Sequence, residues 1–320
     1  MSPDRTRLFG RLSSPNQRHT CRALAGVFQA EIRRYRWSRK LLLLAALLSV
    51  SVWTAVTSVQ PIYGSNGVRG GTYISLTQPE TFDGVYGVFA LVDSWYSLLV
   101  LLPPVGLLFG YGTIVQARES GRLEIVLSLP CTRRTILLGT VLARMAVFSF
   151  VVLLSLAVGW LAIWSRFETV SAWRYLVLSV VTLAYGLVWI SIGVAISTSF
   201  STARRAAATV FITVVGFTFN WHEGVVTGLG FHPTGHAINP QQAYFVLVST
   251  PYSDLFPRVH IDSAMGIDRF SVSFFSTDLA DITANTPIHF SWPVATVVLV
   301  LWIVVPLSYA CWRFERMELT

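Results

Sequence analysis

TILLGTVLARMAVFSFVVLLSLAVGWLAIW, residues 135–164, is a run of thirty residues with one charged side chain, Arg144. Crossing the roughly 30 Å hydrocarbon layer of a bilayer takes about 20 predominantly apolar residues in a helix. This run is longer than a buried helix of a soluble domain requires, and it argues against that class. Working outward from it, further apolar runs fall at about 41–60, 87–112, 173–196, 206–223 and 292–312. In a 320-residue chain that is 53% hydrophobic and 12% charged, six such runs predict an all-α polytopic integral membrane protein with six transmembrane helices.

The basic residues set the orientation. Arg5, Arg7, Arg11, Arg18, Arg22, Arg33, Arg34, Arg36, Arg39 and Lys40 precede the first run; Arg118, Arg122, Arg133 and Arg134 separate the second from the third. Arg204 and Arg205 precede the fifth run, and Arg313 and Arg316 follow the last. Eighteen basic side chains thus lie on one side, against four (Arg69, Arg166, Arg258 and Arg269) on the other. Cytoplasmic loops retain Lys and Arg. The expected protein is therefore a multi-pass protein of the cytoplasmic membrane with both termini in the cytoplasm. The same placement assigns the net charge of +8 to topology and to anionic membrane lipids, not to nucleic acid. The long basic segment before the first run argues against a cleavable signal peptide. Cys21 and Cys131 fall on the reducing side and Cys311 near the inner rim, so no disulfide is expected.

Around this frame the chain divides into a mobile cytosolic segment (1–22), a basic amphipathic stretch (23–40), the six-span domain (41–312) and a short cytosolic tail (313–320). The 23–40 stretch is either an elbow helix lying along the inner headgroups or an ordinary basic flank. Residues 224–291 are too long for a plain connection and predict a small extracytoplasmic cap. Within it, NPQQAYFVLV (239–248) predicts a short outer helix that begins at Pro240. Trp160, Trp164, Trp173, Trp221 and Trp292 near outer ends, with Trp37 and Trp312 near inner ends, form aromatic belts.

Just before the opening run stands RESGRLEIVLSLPCTRR (118–134), six charged side chains in seventeen positions. Read as one helix from about Val115 to Leu129, it lies on the inner face within the cytosolic segment 113–134. Leu123, Val126 and Leu127 then share one side, and Glu119 and Arg122 pair at i, i+3. Pro130 ends the helix, and Thr132 offers the cap for the next span. Two partners fit: the lipid headgroup layer, or a cytosolic protein that pushes on the helix.

The run ARESGRLEIVLSLPCTRRTILLGTVLAR resembles the signature of type-2 ABC transporter permeases: E-x-G-x-L, then L-S-x-P, then a basic pair before the third span. Glu119, Gly121, Leu123, Leu127, Ser128, Pro130, Arg133, Arg134 and Gly139 fill that pattern, with Thr140 where a lysine is common. The resemblance implies a permease subunit in which 113–134 carries a coupling helix against an ATP-hydrolysing subunit. Expected contacts are Glu119, Gly121, Arg122, Leu123, Leu127, Pro130, Arg133 and Arg134, with Arg204 and Arg205 in a second loop, Ser197 to Arg205. It further implies two ATPase subunits that bind the ATP and Mg, no cofactor in this chain, a second permease copy or similar permease, and export as the direction of transport. The only lysine is Lys40, without the flanking glycines of a phosphate-binding loop, so the ATPase has to be a separate chain.

Other constellations are weaker. Asp93 and Glu223 near outer span ends, and the Pro103-Pro104 pair inside span two, are candidates for a substrate path or a hinge. Arg144 lies in the inner part of span three, close enough to the rim to snorkel. His232 and His236 are four apart, but Pro233 and Gly235 argue against the helix that would align them, so no metal site is expected. The alternatives to a permease are a polytopic membrane enzyme using outer His and Asp residues, and a membrane scaffold without transport.

Overall fold

The computed structural model describes residues 25–33, 38–58, 74–76, 98–127, 132–167, 171–218, 238–252, 259–261 and 291–317. In chain order these form α1 (25–33), α2 (Arg39–Ser58), β1 (Ile74–Leu76), α3 (Leu98–Tyr111), α4 (Val115–Glu119) and α5 (Arg122–Leu127). They continue with α6 (Arg133–Arg166), α7 (Ala172–Ser199), α8 (Ala203–Thr218), α9 (Pro240–Ser249), a 3-10 turn (Thr250–Tyr252), β2 (Val259–Ile261) and α10 (Trp292–Glu315).

Four stretches are long and apolar enough to cross a membrane: Leu98–Glu119, Arg133–Arg166, Ala172–Ser199 and Trp292–Glu315. They coincide with the second, third, fourth and sixth expected runs. The apolar part of α2, Leu41–Thr57, is shorter. Helix α8 has 16 residues, about 24 Å at 1.5 Å per residue, and its expected continuation to residue 223 lies outside the described residues. So do the start of span two and most of the 224–291 cap.

The helices start where local chemistry starts them. The Thr132 side chain accepts a hydrogen bond from the Thr135 N–H at 3.2 Å, capping α6 as its position before the basic pair suggested. Asn239 does the same for α9, accepting from Gln241 N–H at 2.9 Å, with Pro240 in the first turn.

Packing places α3 against α7, α2 against α6, and α10 against α7 and α9. The core between them holds Phe148, Tyr185, Trp189 and Tyr244, all without exposed surface. The outward faces are apolar as well: Leu42, Leu43 and Leu47 on α2, Phe150 and Leu161 on α6, Val300, Leu301 and Val305 on α10 are all exposed. A bundle whose outside is as oily as its inside is solvated by lipid, not water.

The short helix expected to begin at Pro240 is present as α9, and its Ala243, Tyr244, Phe245 and Val248 are buried in packing against α7 and α10. Its apolar residues occupy every side of the helix, which leaves no face for water. Tyr244 and Thr182 share a hydroxyl–hydroxyl bond of 2.9 Å, and the Tyr185 and Tyr244 ring centroids lie 4.8 Å apart. The described residues are overwhelmingly helical, as expected, with one small addition: β1 and β2 pair antiparallel with Ile74 opposite Ile261, Ser75 opposite His260 and Leu76 opposite Val259. Three β-branched residues in those six positions favour the extended form.

Candidate functional site

The charged stretch is joined to the bundle at several points. The first is a close approach of α3 and α7, where a Cβ on Gly110 would lie 2.4 Å from the Ile190 carbonyl oxygen and 2.7 Å from Gly193 Cα. Only glycine permits that contact, and it fixes the end of α3 against α7. One turn beyond Gly193 on α7, the buried Ser197 hydroxyl accepts hydrogen bonds from the N–H groups of Ile114 (2.9 Å) and Val115 (3.1 Å). Those donors open α4 and have no partner inside that helix. Ser197 therefore acts as its cap from 83 residues away.

Helix α4 ends at Ser120, whose hydroxyl donates to the Gln116 carbonyl at 2.8 Å. Gly121 follows at φ +68°, left-handed backbone that side chains disfavour. A Cβ there would meet nothing within 4 Å, so the glycine serves the turn and not a close contact. The single helix expected to Leu129 is thus broken into α4 and α5. The break also undoes the expected Glu119–Arg122 pairing. Glu119 Oε1 instead accepts from the Ala203 N–H at 2.6 Å, at the start of α8. A carboxylate there suits the positive end of the helix, whose first turn carries the exposed Arg204 and Arg205. Sequence spacing could not reveal this bond, because its partners are 84 residues apart.

Among the other expected contacts, Arg122 is exposed beside exposed Glu124, and Leu123 is buried at 3% exposure. Leu127 is the last residue of α5, whereas Ser128 and Pro130 lie outside the described residues. The basic pair is engaged within the chain. Arg133 Nη1 donates to the carbonyls of Met317 (2.6 Å) and Glu315 (3.3 Å). Arg134 forms a two-pronged pair with the Glu315 carboxylate, one prong Nη2–Oε2 at 2.9 Å. Both arginines thereby meet the carbonyl end of α10, where positive charge is favoured.

Arg144 does not snorkel. It is 5% exposed, and its Nη1 and Nη2 donate to the carbonyls of Phe109 (2.8 Å) and Gly112 (3.2 Å). Its Nε lies 3.5 Å from Oε1 of Glu31 on α1. One carbonyl belongs to the last turn of α3, which lacks intrahelical donors, and the other to the first residue of the turn that follows it.

Of the candidate path residues, Asp93 and Glu223 lie outside the described residues. Pro103 is buried and Pro104 half-buried inside α3. Pro103 has no N–H for the Leu99 carbonyl, and Tyr185 on α7 donates its hydroxyl to that oxygen at 3.4 Å. Among the described residues, no group of three His, Cys, Asp or Glu side chains is arranged to hold a metal ion. His232 and His236 lie outside them.

The site is thus a linkage at one end of the bundle, a short broken helix capped by α7 and capping α8. A search of curated proteins gave no match. A family model described as ABC-2 family transporter protein matches residues 25–319, nearly the whole chain. The chain therefore belongs to the ABC-2 family transporter proteins, the type-2 ABC permeases.

Proposed function

We propose that this chain is the membrane permease subunit of an ATP-driven exporter in the cytoplasmic membrane. It works as a homodimer or beside a similar permease, and two separate ATPase subunits bind ATP and Mg and do the hydrolysis. No cofactor belongs to this chain, and its cargo is of unidentified class. Helices α2 and α8 complete a set of six spans, α1 is the elbow at the inner surface, and both termini face the cytoplasm.

The observation that carries this reading is the double cap. Ser197 of α7 holds the start of α4, and Glu119 at the end of α4 holds the start of α8. A displacement of α4–α5 therefore reaches α3, α7 and α8 directly, as an element that converts closure of paired ATPases into movement of spans requires. Docking falls to the exposed side of α4–α5, with Arg122 and Glu124 outward and Gly121 at the bend, joined by Arg204 and Arg205.

The test is capture of partners from mild detergent, with wild-type protein beside Arg122→Glu and Gly121→Trp. A captured ATPase subunit that falls away from both variants, while the permease stays folded, is the expected result. Folded wild-type protein that brings down no ATPase would remove the reading.

A further inference from the structure

Helix α1 carries one acid into the bundle. Glu31 is 9% exposed and Arg144 is 5% exposed, and the two approach at 3.5 Å. A buried ion pair is weak evidence for stability, since the desolvation of both partners offsets much of their attraction. What it fixes is geometry. The Arg144 guanidinium is a planar fork with donors on three sides. Two sides are taken by hydrogen bonds to the Phe109 and Gly112 carbonyls, and the third faces Glu31 Oε1 at 3.5 Å as a charge contact without a hydrogen bond. Gly112 is the first residue of the turn into α4, two residues before the Ile114 N–H that Ser197 caps.

We propose that Glu31 and Arg144 are positioning residues through which α1 sets the angle at which α4–α5 leaves the membrane domain, so that α1 tunes coupling to the ATPase. The proposal rests on the permease reading for its functional consequence, but its structural core stands on the geometry alone. Glu31 supplies the charge that lets Arg144 remain buried and aimed at the Phe109 and Gly112 carbonyls. Without it the guanidinium turns toward water and releases the 109–115 turn. A lysine at 144 cannot replace it, because one ammonium does not span two carbonyls and a carboxylate in fork geometry. Reversing the pair fails too, because a carboxylate at 144 would face two carbonyl oxygens.

Hydrogen exchange on the full-length chain in mild detergent tests this, using wild type, Glu31→Gln, Arg144→Lys and the double variant. Glu31→Gln keeps size and removes charge. It is expected to speed exchange in the 109–119 segment by about tenfold or more, as loss of a charged partner in a buried site implies. The double variant should then exchange there no faster than Arg144→Lys alone. Acceleration confined to residues 25–33, or spread evenly over all spans, would overturn the proposal.

A second readout separates this idea from the permease reading. The captured ATPase should hydrolyse ATP at a different rate with Glu31→Gln than with wild type while remaining bound. If the wild type holds an ATPase and Glu31→Gln leaves both exchange and hydrolysis unchanged, the positioning role is wrong and the permease reading stands. If the wild type holds none, the permease reading and the tuning role fall together, whatever the exchange shows.

Discussion

At the scale of single residues, the linkage depends on atoms whose removal has distinct signatures. Ser197 is fully buried and serves two backbone donors. Ser197→Ala leaves both N–H groups without an acceptor, at a cost of about 1–3 kcal/mol for a buried unsatisfied group. Ser197→Thr retains a hydroxyl and should recover part of that loss; denaturant unfolding of the detergent-solubilised chain measures both. Glu119 is exposed, so its cap on Ala203 is solvent-accessible and the loss is smaller. Glu119→Ala should cost about 1 kcal/mol, within the range for an N-cap, and should appear as faster exchange at the start of α8. Were exchange to quicken only in α5, Glu119 would be acting locally and the bridge to α8 would be wrong.

Between elements, two glycines separate close packing from turn geometry. Gly110→Ala must push α3 off α7, since its Cβ would fall 2.4 Å from a backbone oxygen, and overpacking of that kind costs about 1–3 kcal/mol or more. Gly121→Ala enters open space and pays only for left-handed backbone, about 1–2 kcal/mol. The first should disturb the membrane core and the second only the α4–α5 bend, a contrast that exchange mapping resolves. Much of the element pattern was legible beforehand. The third and fourth spans end within three residues of their expected limits, and Thr132 and Pro240 start helices as expected, because caps and apolar runs are local signals. The bend at Gly121 was missed, although E-x-G placed a glycine there, because helical spacing continued through it. The partners of Glu119, Arg133, Arg134 and Arg144 were illegible for another reason: each is distant in sequence, and a charged residue's spacing does not name its partner. The same holds for Pro103. Its freed Leu99 carbonyl meets Tyr185, so Tyr185→Phe should cost about 1 kcal/mol in the wild type and nearly nothing beside Pro103→Ala, where the helix bond is restored.

For the whole molecule, the question is which side of the membrane the linkage occupies. The double cap, the Arg133–Arg134 contacts with the end of α10 and the Arg144 clamp all involve the same ends of α3, α6, α7 and α10. The β1–β2 pair joins segments that flank their opposite ends. These two groups are therefore expected on opposite faces, and the excess of arginine predicts the cytoplasmic face for the first. In a background without Cys21, Cys131 and Cys311, Ser120→Cys and Arg205→Cys should react with a membrane-impermeant maleimide only in inside-out vesicles. Arg166→Cys, in the exposed last turn of α6 at its opposite end, should react only in intact cells or right-side-out vesicles. Reaction of Ser120→Cys from outside would place α4–α5 beyond reach of any cytosolic ATPase, and no rearrangement of the docking surface could then save the coupling role.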